Sequence, residues 1–144
     1  MKRNAAGFTL IELVIVMVIV AILMAVALPS YSAYIVRGNR AAAQSYMMDV
    51  AQRQQQYLLD NHSYASTSVM IGTTASPGLD LPPTSVSDNY TITMAVSNAA
   101  GAAPTFTITA TPISGGIQQT RGEPTLTLNQ AGTKTGTKNG VLVW

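Results

Sequence analysis

Residues Phe8 to Leu28 read FTLIELVIVMVIVAILMAVAL, and across these 21 positions only Thr9 and Glu12 are polar. From Leu13 to Leu28 the apolar run is unbroken. As a helix rising about 1.5 Å per residue the segment is about 31 Å long, enough to cross a hydrocarbon core about 30 Å thick. The run ends at Leu28-Pro29-Ser30, and composition changes there. Tyr31 to Asp60 is rich in Ala and Gln and has no proline, so only Gly38 weakens its helix propensity. Within it Ile35, Ala42, Tyr46, Val50, Gln54 and Leu58 recur at helical spacing on one face, with Arg37, Arg40, Gln44 and Arg53 largely away from it. The spacing predicts one helix from about Phe8 to about Leu59. It is expected to bend at Pro29, where proline removes a backbone hydrogen bond and crowds the preceding turn.

Beyond Asp60, Asn61 to Asn89 holds Gly72, Pro77-Gly78 and Pro82-Pro83, which predicts a long loop with a short element near Ser68 to Gly72. Thr84 to Thr137 contains 13 threonines in 54 residues, many alternating with apolar residues as half-exposed strands require. Tyr90 to Val96, Thr105 to Thr111 and Thr125 to Leu128 read as three strands, and Val141 to Trp144 as a shorter fourth. The intervening Asn98 to Pro104, Ser114-Gly115-Gly116 and Gly132 to Gly140 carry turn chemistry. Laying Ile92, Met94, Val96, Phe106, Ile108, Leu126 and Leu128 on the stripe of the second helical half yields an α+β fold. It is a long N-terminal helix packed on an antiparallel sheet of about four strands.

Composition narrows the chemistry. One domain fits 144 residues, and 47% apolar with 10% charged residues excludes a disordered chain. The absence of cysteine removes disulfides, thiolate metal sites and cysteine nucleophiles. The net charge of +2 comes entirely from Lys2 and Arg3, so no polyanion-binding signature remains. His62, the only histidine, has Asp60 alone for company, so no metal site is expected. Serines, threonines and tyrosines are abundant but lack a general base, so no catalytic residue and no cofactor is assigned. A nucleic-acid partner is compatible with Arg37 and Arg40, yet arginines at i and i+3 usually make a solvated face. Tyr31, Tyr34, Tyr46 and Tyr57 read as core packing rather than an aromatic path. Asn61-His62-Ser63 and Asn89-Tyr90-Thr91 match the weak glycosylation sequon.

A basic tip, an apolar run and a following domain suit three readings. In a secretory signal peptide, Ala25-Val26-Ala27 is the cleavage site. Against this, Glu12 places a carboxylate in the run, at a cost of about 2.5–3.5 kcal/mol on insertion scales at mid-helix and less near the interface. The second reading is a plain signal anchor. Its orientation is undecided by charge, since Lys2 and Arg3 on one flank face Arg37 and Arg40 on the other.

The third reading rests on Gly7-Phe8-Thr9-Leu10-Ile11-Glu12-Leu13. This resembles the processing site of type IV prepilins: a short basic leader, glycine before the cut, phenylalanine after it and glutamate four residues further on. Pro29-Ser30-Tyr31-Ser32-Ala33-Tyr34 also resembles type IVa pilins. More loosely, Thr107 to Pro112, Thr125 to Gln130 and Trp144 resemble the PilE-like branch that includes minor pilins. The likeness departs at the C-terminus, which relatives commonly close with a disulfide. Here Glu123-Pro124 and Val143 stand in those neighbourhoods.

The resemblance implies a cleaved leader over 1–7, a transmembrane and filament-core helix over 8–29, an amphipathic half over 30–60, an αβ loop over 61–89 and a sheet region over 90–144. It implies cleavage between Gly7 and Phe8 by a prepilin peptidase and N-methylation of Phe8. Before assembly the subunit would sit in the inner membrane with its N-terminus cytoplasmic. Inner-membrane assembly machinery would then build it, with copies of itself or other pilins, into an extracellular filament. Phe8 and Glu12 would guide assembly, the Glu12 carboxylate pairing with the Phe8 amine of a neighbour, or alternatively within one chain as an i, i+4 pair. A minor or assembly-priming pilin, a type II secretion pseudopilin, and a membrane-tethered adhesin or DNA-uptake receptor are the competing functions. Intact mass separates the readings of the leader. Removing seven residues from 144 leaves 137 beginning at Phe8, with one added methyl, whereas signal peptidase leaves 117 beginning at Leu28. The longer form is expected, and the shorter one would overturn the pilin reading.

Overall fold

The first helix begins where the sequence supplies a cap. Thr9 Oγ1 accepts the Glu12 backbone N–H at 3.2 Å, and Thr9 carbonyl accepts the Leu13 N–H. The computed structural model describes residues 7–72 and 78–144, so Lys2, Arg3 and Pro77 lie outside the described residues. Helix α1 runs Leu10–Asn61, and its helical assignment continues through Pro29. It ends at His62, whose φ of 55° is left-handed and whose N–H bonds Leu58 carbonyl at 2.8 Å. The single histidine is therefore a helix-terminating residue, in a conformation that glycine adopts without strain.

The chain forms two units, one ending at Ile35 and the other spanning Val36–Trp144. In the first, every described apolar side chain from Phe8 to Leu28 is exposed. The second unit holds the core. Its elements are α1 from Val36 on, α2 (Thr67–Met70), α3 (Thr84–Ser87), β1 (Tyr90–Ser97), β2 (Thr105–Pro112), α4 (Ile117–Thr120), β3 (Leu126–Asn129), β4 (Lys134–Thr135), β5 (Thr137–Lys138) and β6 (Val141–Leu142). One antiparallel sheet has the order β1-β2-β3-β4, and β5-β6 form a separate hairpin. The register places Met94, Ile108 and Leu128 in one cross-strand row and Ile92, Ala110 and Leu126 in the next. These apolar rows face the helix, while Thr93, Thr109, Thr127 and Thr135 form a row on the opposite face.

The buried seam of α1 is Val36, Ala43, Tyr46, Met47, Val50 and Gln54. Ile35, Ala42 and Leu58 are only half-buried, so the seam's centre lies beside the one that spacing predicts. Apolar residues stand on both sides of that stripe, and the sheet chooses between them. Gln54 is fully buried because its amide pairs reciprocally with the backbone of Ala65, accepting from N–H at 2.9 Å and donating to the carbonyl at 2.8 Å. Asn98 does the same for Tyr64, both bonds at 3.0 Å. Two side-chain amides thus pin consecutive residues of the connection after α1, satisfying backbone groups that no regular element pairs. Tyr64 also meets Phe106 edge-on, with ring centroids 4.8 Å apart.

The C-terminal region corrects the expected fourth strand. It is Lys134–Thr135 that joins the sheet, whereas Val141–Leu142 pairs with Thr137–Lys138 across Asn139-Gly140. Both turn residues have positive φ, 52° and 78°, as a tight hairpin turn requires. Gly136 separates the two hairpins with a φ of 146°, and a Cβ there would lie 2.5 Å from Leu126 Cδ2. Leu142 is exposed and Trp144 half-buried, so neither anchors the C-terminus by full burial.

What holds this region is Glu123. Its side chain is 1% exposed, with Oε2 2.9 Å from Arg40 Nη1 and Oε1 2.6 Å from Lys138 Nζ. Lys138 Nζ also donates to Arg121 carbonyl at 2.8 Å, and Gln44 donates to Val143 carbonyl at 2.8 Å. One buried carboxylate therefore ties α1 to the β5-β6 hairpin. Arg40 accordingly leaves the solvated face expected of it, its side chain being 16% exposed. Glu123→Gln should lower unfolding free energy by about 3–5 kcal/mol, since Arg40 and Lys138 lose their counter-charge in a buried place. Arg53→Gln, which breaks an ion pair to Asp80 from a half-exposed arginine, should cost less than about 1 kcal/mol. Denaturant titration of the full chain in detergent compares the two.

A second polar group beneath the sheet titrates. The amide of Gln118 donates to Tyr90 Oη at 2.8 Å and to Val36 carbonyl at 3.2 Å. Burial pushes the Tyr90 phenol up to about 12, with the Gln118 bond opposing. Because the folded value lies above the free value of about 10, the unfolded chain releases its proton first as pH rises. The contribution is complete below about pH 10 and is lost as pH climbs toward 12. Unfolding midpoints should therefore fall across that window, and Tyr90→Phe should flatten the fall.

Candidate assembly interface on the N-terminal helix

Thr9-Leu10-Ile11-Glu12 has the S/T-x-x-E pattern of a helix start, with Thr9 as cap and Glu12 three positions later. Glu12 thus lies in the first turn, where the positive end of the helix dipole favours a carboxylate. This role of Thr9 and Glu12 is legible in the sequence, yet the membrane-cost argument alone passes over it. Phe8, Glu12, Leu13, Val16 and Met17 line one shallow concave face. The aromatic ring and the carboxylate therefore share a side of the helix start. Phe8 is 85% exposed, and Glu12 is exposed as well.

Gly7 precedes this start, and a Cβ built there would meet no atom within 4 Å. Among the described residues nothing requires glycine at that position. Pro29 lies within α1, and the bend expected there is taken up below. Of the four tyrosines read as core, Tyr46 is buried, with its hydroxyl on Asp80 carbonyl, and Tyr57 is half-buried. Tyr31 and Tyr34 are 66% and 71% exposed, which corrects that reading. The apolar stripe moves away from them because they precede the core unit, which begins at Val36.

The other candidates acquire local structural roles. Asn89 accepts from Asn39 Nδ2 at 3.0 Å and donates to Ser85 carbonyl at 3.1 Å, so both ends of this sequon amide are occupied. Asn61 donates to Tyr57 carbonyl at the end of α1. Among the described residues, no three His, Asp or Glu side chains converge as a metal site would need.

These features define a class: an α+β protein carried on one helix that is long and apolar enough to cross a membrane. Comparison with known proteins narrows it. Residues 29–124 match the family described as type IV minor pilin ComP, DNA uptake sequence receptor, and residues 2–28 match the prokaryotic N-terminal methylation motif. The type IV wide pilus major component PilA4 of Thermus thermophilus is 40% identical over 97 residues, covering 67% of this chain and 70% of that one. The type IV major pilin protein PilE1 of Neisseria gonorrhoeae is 32% identical over 117 residues, 81% of this chain and 63% of that one. The fimbrial protein EcpC of Eikenella corrodens is 49% identical over 43 residues, 30% of this chain and 28% of that one. The chain belongs to the type IV pilin family, a family of structural proteins, and is a pilus subunit.

Proposed function

We propose that this subunit is cut between Gly7 and Phe8 by a prepilin peptidase, is N-methylated at Phe8, and polymerises through the helix that follows. The carrying observation is the exposed apolar helix, with its one carboxylate at the capped start. Cleavage at that point leaves the Thr9 cap intact, so the new amine forms one residue before an already organised turn. The unneeded glycine at Gly7 suits recognition by an enzyme and not by the fold. Before assembly the helix spans the inner membrane with its N-terminus cytoplasmic, and a bend at Pro29 accommodates it. On extraction by the assembly machinery, Leu13 to Leu28 exchange lipid for the equivalent helices of other subunits. The carboxylate of Glu12 then pairs with the Phe8 amine of a neighbour.

Minor pilin is the second reading, favoured by the family model that matches residues 29–124. A DNA-receptor role would need cationic side chains aimed outward. Here Arg40, Arg53 and Lys138 are engaged in ion pairs within the head. Arg37, Arg121 and Lys134 are exposed, so cationic side chains also face outward. Abundance in sheared filaments distinguishes the two readings, because a major subunit dominates the preparation and a minor one is present in traces.

Glu12→Leu tests the assembly role. If Glu12 merely tolerates the membrane, the variant is harmless. If it pairs with an incoming amine, the variant leaves that amine unpaired in the core, a loss of about 3–5 kcal/mol at each contact. The expected result is processed subunit accumulating in the inner membrane with surface filaments lost. Normal filament yield would remove the pairing role.

A further inference from the structure

Tyr31 and Tyr34 lie outside both the buried core and the unbroken apolar run. They are the first aromatic residues after the apolar run, they stand three positions apart on α1, and they are 66% and 71% exposed. The two later tyrosines of the same helix are buried or half-buried. We propose that Tyr31 and Tyr34 seat in the headgroup–acyl boundary of the bilayer and set the depth of the membrane-inserted subunit. The partner is a phospholipid surface, and the inference rests on the membrane-spanning reading above.

Distance supports the assignment. A run of 21 residues from Phe8 to Leu28 matches a hydrocarbon core of about 30 Å and has little length to spare. The interfacial layers add about 5–7 Å on each side. Along a helix, Tyr31 lies about 4.5 Å and Tyr34 about 9 Å beyond Leu28. Helical side chains lean toward the N-terminus and cover the preceding turn, so both rings reach back toward the apolar run. The ring of Tyr34 thereby falls within the same layer as that of Tyr31.

Chemistry supports it as well. A tyrosine offers an apolar ring to the acyl boundary and a hydroxyl to the wet headgroups, the combination that enriches Tyr at membrane interfaces. A leucine pair here would lengthen the span, and a charged pair would end it without grip. The unbroken apolar sequence from Leu13 to Leu28 holds no polar residue that would resist sliding within the run itself. Thr9 and Glu12 mark one end of the run, and the two tyrosines mark the other.

The test uses the full chain in phosphatidylcholine vesicles brominated either near the headgroup or near the acyl-chain terminus. Tyr34→Trp and Met17→Trp are compared after subtraction of the Trp144 signal of the unsubstituted chain. Trp at 34 should emit at shorter wavelength than in water and lose more emission to shallow than to deep bromine, with the opposite order at 17. Replacing both tyrosines by serine in a Met17→Trp chain should broaden its depth profile, and tryptophan at both positions should restore it. Quenching at 17 with aqueous emission at 34 would overturn the anchor alone. A profile at 17 unchanged by the serine pair would do the same. No quenching at either position would overturn the membrane-spanning reading, and the anchor with it.

Discussion

The constraint on which the rest of this structure depends is an unsatisfied helix. Thirteen large apolar side chains between Leu13 and Leu28 are exposed, none covered by its own chain. At about 1.5–3 kcal/mol for each Leu, Ile, Val or Met taken from water, their burial is worth roughly 20 kcal/mol or more. No folded head of this size can offset leaving such a segment in water, since small domains are stable by only about 5–15 kcal/mol. The helix therefore has two destinations, lipid or the helices of other pilin subunits. The cost of carrying Glu12 into either is small beside the total, which is how one charge persists at the head of an apolar run. In the proposed filament contact, Glu12 would add direction that apolar burial leaves unspecific.

The head must stay folded while its helix changes surroundings, and it does so without a covalent staple. Two amides, Gln54 and Asn98, hold the connection after α1 by taking both backbone groups of Ala65 and Tyr64. One carboxylate, Glu123, fastens the last hairpin to α1 through Lys138 and Arg40. In each case a buried polar side chain makes several bonds at once, which is the condition for burying it without a large penalty. Val141 and Leu142 point into solvent, so the C-terminal region is held by Lys138, by the Gln44 bond to Val143 carbonyl and by the half-buried Trp144.

Periodicity made the broad architecture readable. The 21-residue run, the helical spacing beyond Pro29 and the Thr-apolar alternation of Tyr90 to Val96 and Thr105 to Thr111 each point to one element, and those elements are present. The prepilin-like start was readable for a different reason, because the methylation motif, the cap and the charge stand on adjacent residues. What escaped the sequence was long-range pairing. Nothing local in Arg40 distinguishes a solvated arginine from one that meets Glu123, 83 positions away. Similarly, Asn139-Gly140 announces a hairpin, but the strand that joins the sheet is the two-residue Lys134–Thr135, too short to show alternation. Tyr31 and Tyr34 resemble Tyr46 in spacing, and only the boundary of the core at Val36 separates them.

The central claim is that the apolar helix ends up buried among copies of itself, and methionine oxidation reads this directly. In the single chain Met17 and Met24 are 65% and 57% exposed, more than the 39% of Met48 in the head. Peptide mass spectrometry of sheared filaments treated with peroxide measures the three sulfoxide rates. Burial among neighbouring helices predicts the reverse of the single-chain order, with Met48 oxidised and Met17 and Met24 protected. Oxidation of Met17 and Met24 at the rate of Met48 or faster would contradict it.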